Sequence, residues 1–163
     1  MWKGLIALSG ALIVLAAVGL SSAQERASVS GVDAIAARQE SMDMSSITLN
    51  SMGEAMKAGR DAKTQAYPAA ALAKWAKVLP KMFPVGTGEG ETSVFSQASS
   101  AIWQDRAGFD RAAADYADAT AKLAALSAAN DTAGFTKQIE EVNHACSNCH
   151  SRYKSGAQGP PKK

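Results

Sequence analysis

The sequence predicts an all-α protein, an antiparallel up-down-up-down four-helix bundle, and three observations predict it. Ala is very common and Pro rare, with 5 Pro in 163 residues. Such a composition favours helices, because Ala gives up no side-chain entropy on becoming helical. Apolar residues recur at seven-residue or alternating three- and four-residue steps in four separate segments, which places them on one helix face. The connections between those segments are short apart from one, and short connections make successive helices antiparallel neighbours.

The first segment runs over about residues 32–58. Ile35, Met42, Leu49 and Met56 recur every seven residues, with Val32, Gln39, Ser46 and Gly53 at the alternate positions of the seam. Gly59 follows its end as a stop signal. The second segment covers about residues 68–82. Pro68 suits a first helical turn, Leu72, Trp75, Leu79 and Met82 form the stripe, and Pro80 should terminate or kink the helix. Residues 84–100 hold Gly86, Gly88 and Gly90 and read as a long loop. The third helix spans about residues 100–128 on a stripe of Ile102, Phe109, Tyr116 and Leu123. Asn130, Asp131 and Thr132 make a turn and a helix start, since short polar side chains cap free N–H groups. The fourth helix carries Phe135, Ile139, Val142, Cys146, Cys149 and Tyr153 on one face.

Outside the bundle, Trp2 and Lys3 precede an uncharged apolar run, residues 4–20, and Ser21, Ser22 and Ala23 supply the small residues of a cleavage site. Residues 1–23 therefore read as a secretory signal peptide, with export to the periplasm and no membrane association after cleavage. The rival reading is an uncleaved anchor, since the run is close to the minimum for spanning a bilayer. The mature domain, residues 24–163, would begin with a mobile start (24–31) and end in a disordered, Gly/Pro-rich tail (155–163). The formal charge of +2 leaves no large basic field for nucleic acid.

The fourth helix ends in Cys146-Ser147-Asn148-Cys149-His150, the C-x-x-C-H pattern that attaches haem c. On a helix the two cysteines share a face with Cβ atoms about 5–6 Å apart, so both can form thioethers with one porphyrin edge. His150 follows directly and can ligate iron from the proximal side. A dithiol redox pair would open a helix, where the dipole lowers the thiol pKa, whereas this one closes a helix. A structural zinc site would need two further ligands, with only His144 and His150 available. His144 is turned about 200° from Cys146 around the helix and reads as solvent-facing. The cofactor expected is one covalent haem c.

With these residues in place the sequence resembles the class II c-type cytochromes, the cytochrome c-prime family. The resemblance rests on Arg38-Gln39 followed by Met42, on Leu79-Pro80-Lys81-Met82-Phe83-Pro84, and on Gly86-Thr87. It continues through Ala101-Ile102-Trp103 with Phe109, and closes with Cys146, Cys149, His150, Tyr153 and Lys154. It implies a left-handed four-helix bundle, a monomer or a homodimer, and places Arg38 and Gln39 near the haem propionates. Lys154 stands where the family often has Arg, and lacks the planar fork of a guanidinium.

The sixth coordination position of the iron decides the function. A His/Met pair makes an electron carrier, while His alone leaves a site for small gases. The methionines to consider are Met42, Met44, Met52, Met56 and Met82. In an up-down-up-down bundle the N-terminal half of the first helix lies beside the C-terminal end of the fourth, and Met42 is in that half on the inner stripe. Met44 points away. Met56 and Met52 lie about 21 Å and about 15 Å further along at the helical rise, and Met82 suits packing beside Pro80 and Pro84. Met42 also matches the distal ligand of the low-spin family members, although Met is equally a good filler of irregular core space. The leading expectation is one-electron transfer with His150 and Met42 as ligands, serving periplasmic redox partner proteins. The alternative is a five-coordinate protein that binds NO or CO at an open distal site. An enzyme such as a peroxidase ranks last, for want of a distal polar group.

Overall fold

The computed structural model describes residues 30–156. The expected signal segment 1–23, residues 24–29 of the expected mobile start, and residues 157–163 of the expected tail lie outside the described residues. Helix α1 is Gly31–Lys57, α2 is Ala66–Val78, α3 is the short Ala101–Gln104, α4 is Arg106–Ala128 and α5 is Thr132–Tyr153; 3₁₀ turns at Ala62–Gln65 and Leu79–Met82 flank α2. Helix α4 packs along both α2 and α5, and α1 closes the ring more loosely against α5 and α2. Each long helix therefore neighbours the next in sequence, in the four-helix arrangement the stripes predict.

Local chemistry sets the helix limits. Ser30 caps α1 through Asp33 N–H at 3.1 Å, Asp105 caps α4 through Gly108 N–H at 3.0 Å, and Asp131 caps α5 through Gly134 N–H at 2.9 Å. At the end of α1, Gly59 adopts φ 72° and the Gly59 and Arg60 amides return to the Met56 and Ala55 carbonyls. Asn130 does the same after α4 with φ 57°, the Asn130 and Asp131 amides returning to Ser127 and Leu126. Both ends use the left-handed stop that satisfies the last free carbonyls of a helix.

Side-chain bonds define the two ends of the bundle. At one, the α1–α2 connection meets the α4–α5 connection: Ser127 donates to the Ala62 carbonyl at 2.7 Å and Lys63 N–H donates to Asn130 at 2.8 Å. At the other, the loop from Phe83 to Ser100 is gripped from two sides. Arg38 of α1 reaches Thr87 and Ser96, while Ser99 N–H donates to the Tyr153 carbonyl and Ser155 N–H to the Gln97 carbonyl. The N-terminal half of α1 and the C-terminal end of α5 therefore share one end of the molecule.

Phe109, Phe135, Ile35, Met52, Ile102, Leu123 and Val142 are fully buried. The stripes expected for the last two long helices hold: Ile102, Phe109, Tyr116 and Leu123 are buried, as are Phe135, Ile139, Val142 and Tyr153. Two expectations need correction. The buried face of α1 is rotated from the expected seam: Ala34, Arg38 and Met52 are buried with Ile35 and Leu49, Met42 and Met56 are half-buried, and Val32 and Ser46 are exposed. A seven-residue repeat drifts about 20° per heptad around a straight helix, so over the 27 residues of α1 the seam moves off the core. The second correction concerns the third helix, which is broken at Asp105 (φ −120°, ψ 59°). The Asp105 carboxylate bonds the Gly108 amide in place of continued helix, the competition that short acidic side chains offer the backbone.

Candidate haem site

Cys146, Cys149 and His150 occupy the last two turns of α5, each half-buried, although Ala145 before them and Tyr153 after them are buried. Opposite, no residue of α1 between Arg38 and Leu49 is fully buried. Met42 and the two cysteines are among the partly buried apolar groups that rest against the hydrophobic core. Tyr116 of α4 closes the third side. It is buried, and its hydroxyl lies close enough to Ser45 of α1 and Cys146 of α5 to interact with both. Helices α1, α4 and α5 thus converge at one partly uncovered apolar end, a surface that a flat prosthetic group would cover.

The donor chemistry suits haem better than redox cycling. The two thiols are not joined in a disulfide. Burial raises the Cys146 pKa, and burial with the neighbouring Cys146 pushes Cys149 up to about 11. Both stay protonated at neutral pH, the opposite of the thiolate that a dithiol oxidoreductase needs. Burial lowers the His150 pKa, and the charge of Lys154 lowers it further. The neutral imidazole is the form that ligates a metal. Among the described residues no group of three or more His, Cys, Asp or Glu could hold a metal ion.

Arg38 is not a solvated helix charge, since it is 4% exposed. Its guanidinium donates to the Met82 carbonyl, to Oγ1 and the carbonyl of Thr87, and to Ser96, and it lies 4.6 Å over the Phe83 ring. Gln39 donates to the Phe95 carbonyl at 3.0 Å. Both therefore hold the loop that closes this end of the bundle. His144 is exposed on a groove between α4 and α5, and Met44 is 59% exposed; both are solvent-facing, as their positions on the helices predict. Sequence reasoning did not single out Ser45, Ser96 or Asp105, because nothing local marks a Ser or Asp whose partner comes from another element.

The cytochrome C' family model matches residues 33–154. A cytochrome c' of Rubrivivax gelatinosus is 35% identical over 98 residues, 60% of this chain and 74% of the relative. The crystal structure of cytochrome c' from Rubrivivax gelatinosus superposes with a TM-score of 0.69 at 28% identity, over 77% of this chain and 97% of that one. A nitric oxide complex of a cytochrome c prime variant from Alcaligenes xylosoxidans, 24% identical, has the same fold with a TM-score of 0.68 over 77% of this chain and 96% of that one. With the family model spanning all but the first three and last two described residues, and the helical bundle matching its solved members, the chain belongs to the cytochrome c' family, haem proteins that carry one covalent haem c.

Proposed function

We propose that this chain is a periplasmic mono-haem cytochrome c' that binds a diatomic gas, nitric oxide or carbon monoxide, on a haem held at the C-x-x-C-H end of the bundle. Cys146 and Cys149 would form the thioethers, and His150 would be the proximal ligand. When bound, the haem supplies an iron that can take a gas ligand or pass one electron. The observation that carries the reading is that Met42, like Cys146 and Cys149, is a partly buried apolar side chain packed against the hydrophobic core. On this reading the Met42 side chain packs against the core and the sixth position is left to an external ligand. The polar neighbours on this face are the Ser45 and Tyr116 hydroxyls, and burial keeps Tyr116 protonated up to about pH 12. Neither is an acid or base at neutral pH, which suits reversible ligand binding rather than bond cleavage. The nitric oxide complex solved for the Alcaligenes xylosoxidans protein is consistent with gas binding on this fold.

Arg38 and Gln39 would sit at the propionate edge. Arg38 has no carboxylate partner among the described residues, and its loop partners are neutral, so a propionate would complement its charge.

The second reading, electron transfer with Met42 as sixth ligand, draws on one observation: Met42 lies in the half of α1 that shares an end with His150. The spin state of the purified ferric protein separates the two. A high-spin spectrum, with carbon monoxide binding to the reduced protein, supports the open site. A low-spin spectrum that resists carbon monoxide supports His/Met ligation. Cys146→Ala with Cys149→Ala should abolish covalent haem, and haem that still resisted acid-solvent extraction would overturn either reading.

A further inference from the structure

We infer that Tyr153 and Asp105 form a latch that positions the His150 imidazole, so that Tyr153 acts on the iron through His150. The inference rests on the reading of His150 as the proximal ligand of a five-coordinate haem.

Tyr153 is the last residue of α5, one turn beyond His150. Its hydroxyl donates to Asp105 Oδ2 at 2.9 Å, and its ring stands edge-on to Phe109 with centroids 5.4 Å apart. Its carbonyl accepts from Ser99 N–H at 3.0 Å. Lys154 forms an isolated antiparallel bridge with Ala98, and Ser155 N–H donates to the Gln97 carbonyl at 2.8 Å. Helix ends ordinarily fray, with their last carbonyls left to water. Here the final turn is fixed from two other segments, and Lys154 N–H closes on the His150 carbonyl itself at 3.1 Å.

Two departures from simple helix serve this one bond. The chain breaks at Asp105, whose Oδ1 caps α4 while Oδ2 receives Tyr153. Gly108 supplies the space, since a Cβ there would collide with both the Asp105 carboxylate and the Tyr153 hydroxyl. The His150 imidazole has no hydrogen-bond partner among the described residues. Metal-bound histidines are usually oriented by a partner on the second ring nitrogen. Without one, the ring direction follows the backbone of the last turn, and that backbone is held by Tyr153 and Asp105.

The test is the iron–histidine stretching band in the resonance Raman spectrum of the ferrous holoprotein. Tyr153→Phe keeps the ring against Phe109 and removes the hydroxyl. It should shift the band to lower frequency and broaden it, as the imidazole samples weaker geometries. Asp105→Asn, which retains an oxygen for Gly108, should shift it the same way by less, and it carries the test should Tyr153→Phe fail to fold. Asp131→Ala removes a cap of the same kind from the opposite end of α5. It should lower the melting temperature without moving the band. If Tyr153→Phe and Asp105→Asn cost stability as Asp131→Ala does and leave the band in place, the latch is structural only and the inference is wrong. If the wild-type ferrous protein shows no such band, the five-coordinate reading fails and the inference falls with it.

Discussion

The Arg38 guanidinium lies 4.6 Å over the Phe83 ring, with Phe83 in turn edge-on to Phe109 at 4.9 Å. A cation on α1 is thereby joined through the loop to the core of α4. The face of an aromatic ring attracts a cation, and burial lowers the Arg38 pKa only from a value far above neutral, so the charge is retained. Its hydrogen-bond partners are the Met82 and Thr87 carbonyls and two hydroxyls. This is how a loop with three glycines at 86, 88 and 90 is held against α1.

Arg38→Ala should therefore destabilise the protein by about 2–4 kcal/mol, because it strands the buried Thr87 and Ser96 groups and removes charge-assisted bonds. Arg38→Lys should recover only part of that, since an ammonium cannot present the flat fork that reaches Thr87 and Ser96 together. Urea unfolding checks both. A midpoint for Arg38→Ala within error of wild type would show that the loop does not depend on the clasp.

Gly108→Ala should cost about 1–3 kcal/mol, the range for forcing extra atoms into a filled site, even though Ala is the better helix former. The added Cβ would displace the Asp105 carboxylate and the Tyr153 hydroxyl. Gly53→Ala, on α1 where a Cβ meets nothing within 4 Å, should instead be neutral or stabilising. Thermal melts of the two variants that moved in the same direction would contradict this.

The contrast between those glycines shows what the sequence can display. Phe109, Tyr116 and Leu123, or Phe135, Ile139 and Val142, repeat within one helix, so their shared face is legible from spacing alone. The Cys146, Cys149 and His150 group is legible for the same reason, since all its chemistry lies within five residues. Met52 is fully buried, and that burial depends on how α1 rotates against its neighbours, which the repeat does not report. Arg38 bonds partners 44 to 58 residues away, and Asp105 finds Tyr153 at a separation of 48. No local pattern marks such pairs before the helices are set side by side.

Alkaline pH should act through Tyr116. Burial raises its pKa to about 12 from the ordinary value of 10. The unfolded chain therefore loses this proton first, and between about pH 10 and 12 it binds fewer protons than the folded protein. Stability then falls as pH rises, by on the order of 2–3 kcal/mol across that window. Tyr116→Phe should flatten this part of the profile. Urea midpoints at pH 8, and at about pH 11, for both proteins would measure it. A wild-type decline that persists undiminished in Tyr116→Phe would assign it to other groups.

Met42 decides which ligand the iron meets. If its side chain only fills space against the core, Met42→Ala should leave the ferric spin state and the reduction potential almost unchanged. The protein should lose about 1–2 kcal/mol of stability, less than the 2–5 typical of a fully buried Met because Met42 is half-buried. Clearing the distal face should also speed carbon monoxide association, by up to about tenfold if it removes about 1.4 kcal/mol of steric barrier. Met44→Ala, at a side chain 59% exposed on another face of α1, should change none of these. The opposite result is equally distinct. A low-spin wild type that becomes high-spin in Met42→Ala, with a lower potential, would mean that the thioether ligates iron and favours its ferrous state. Electron transfer would then replace gas binding, with Cys146, Cys149 and His150 in the same roles.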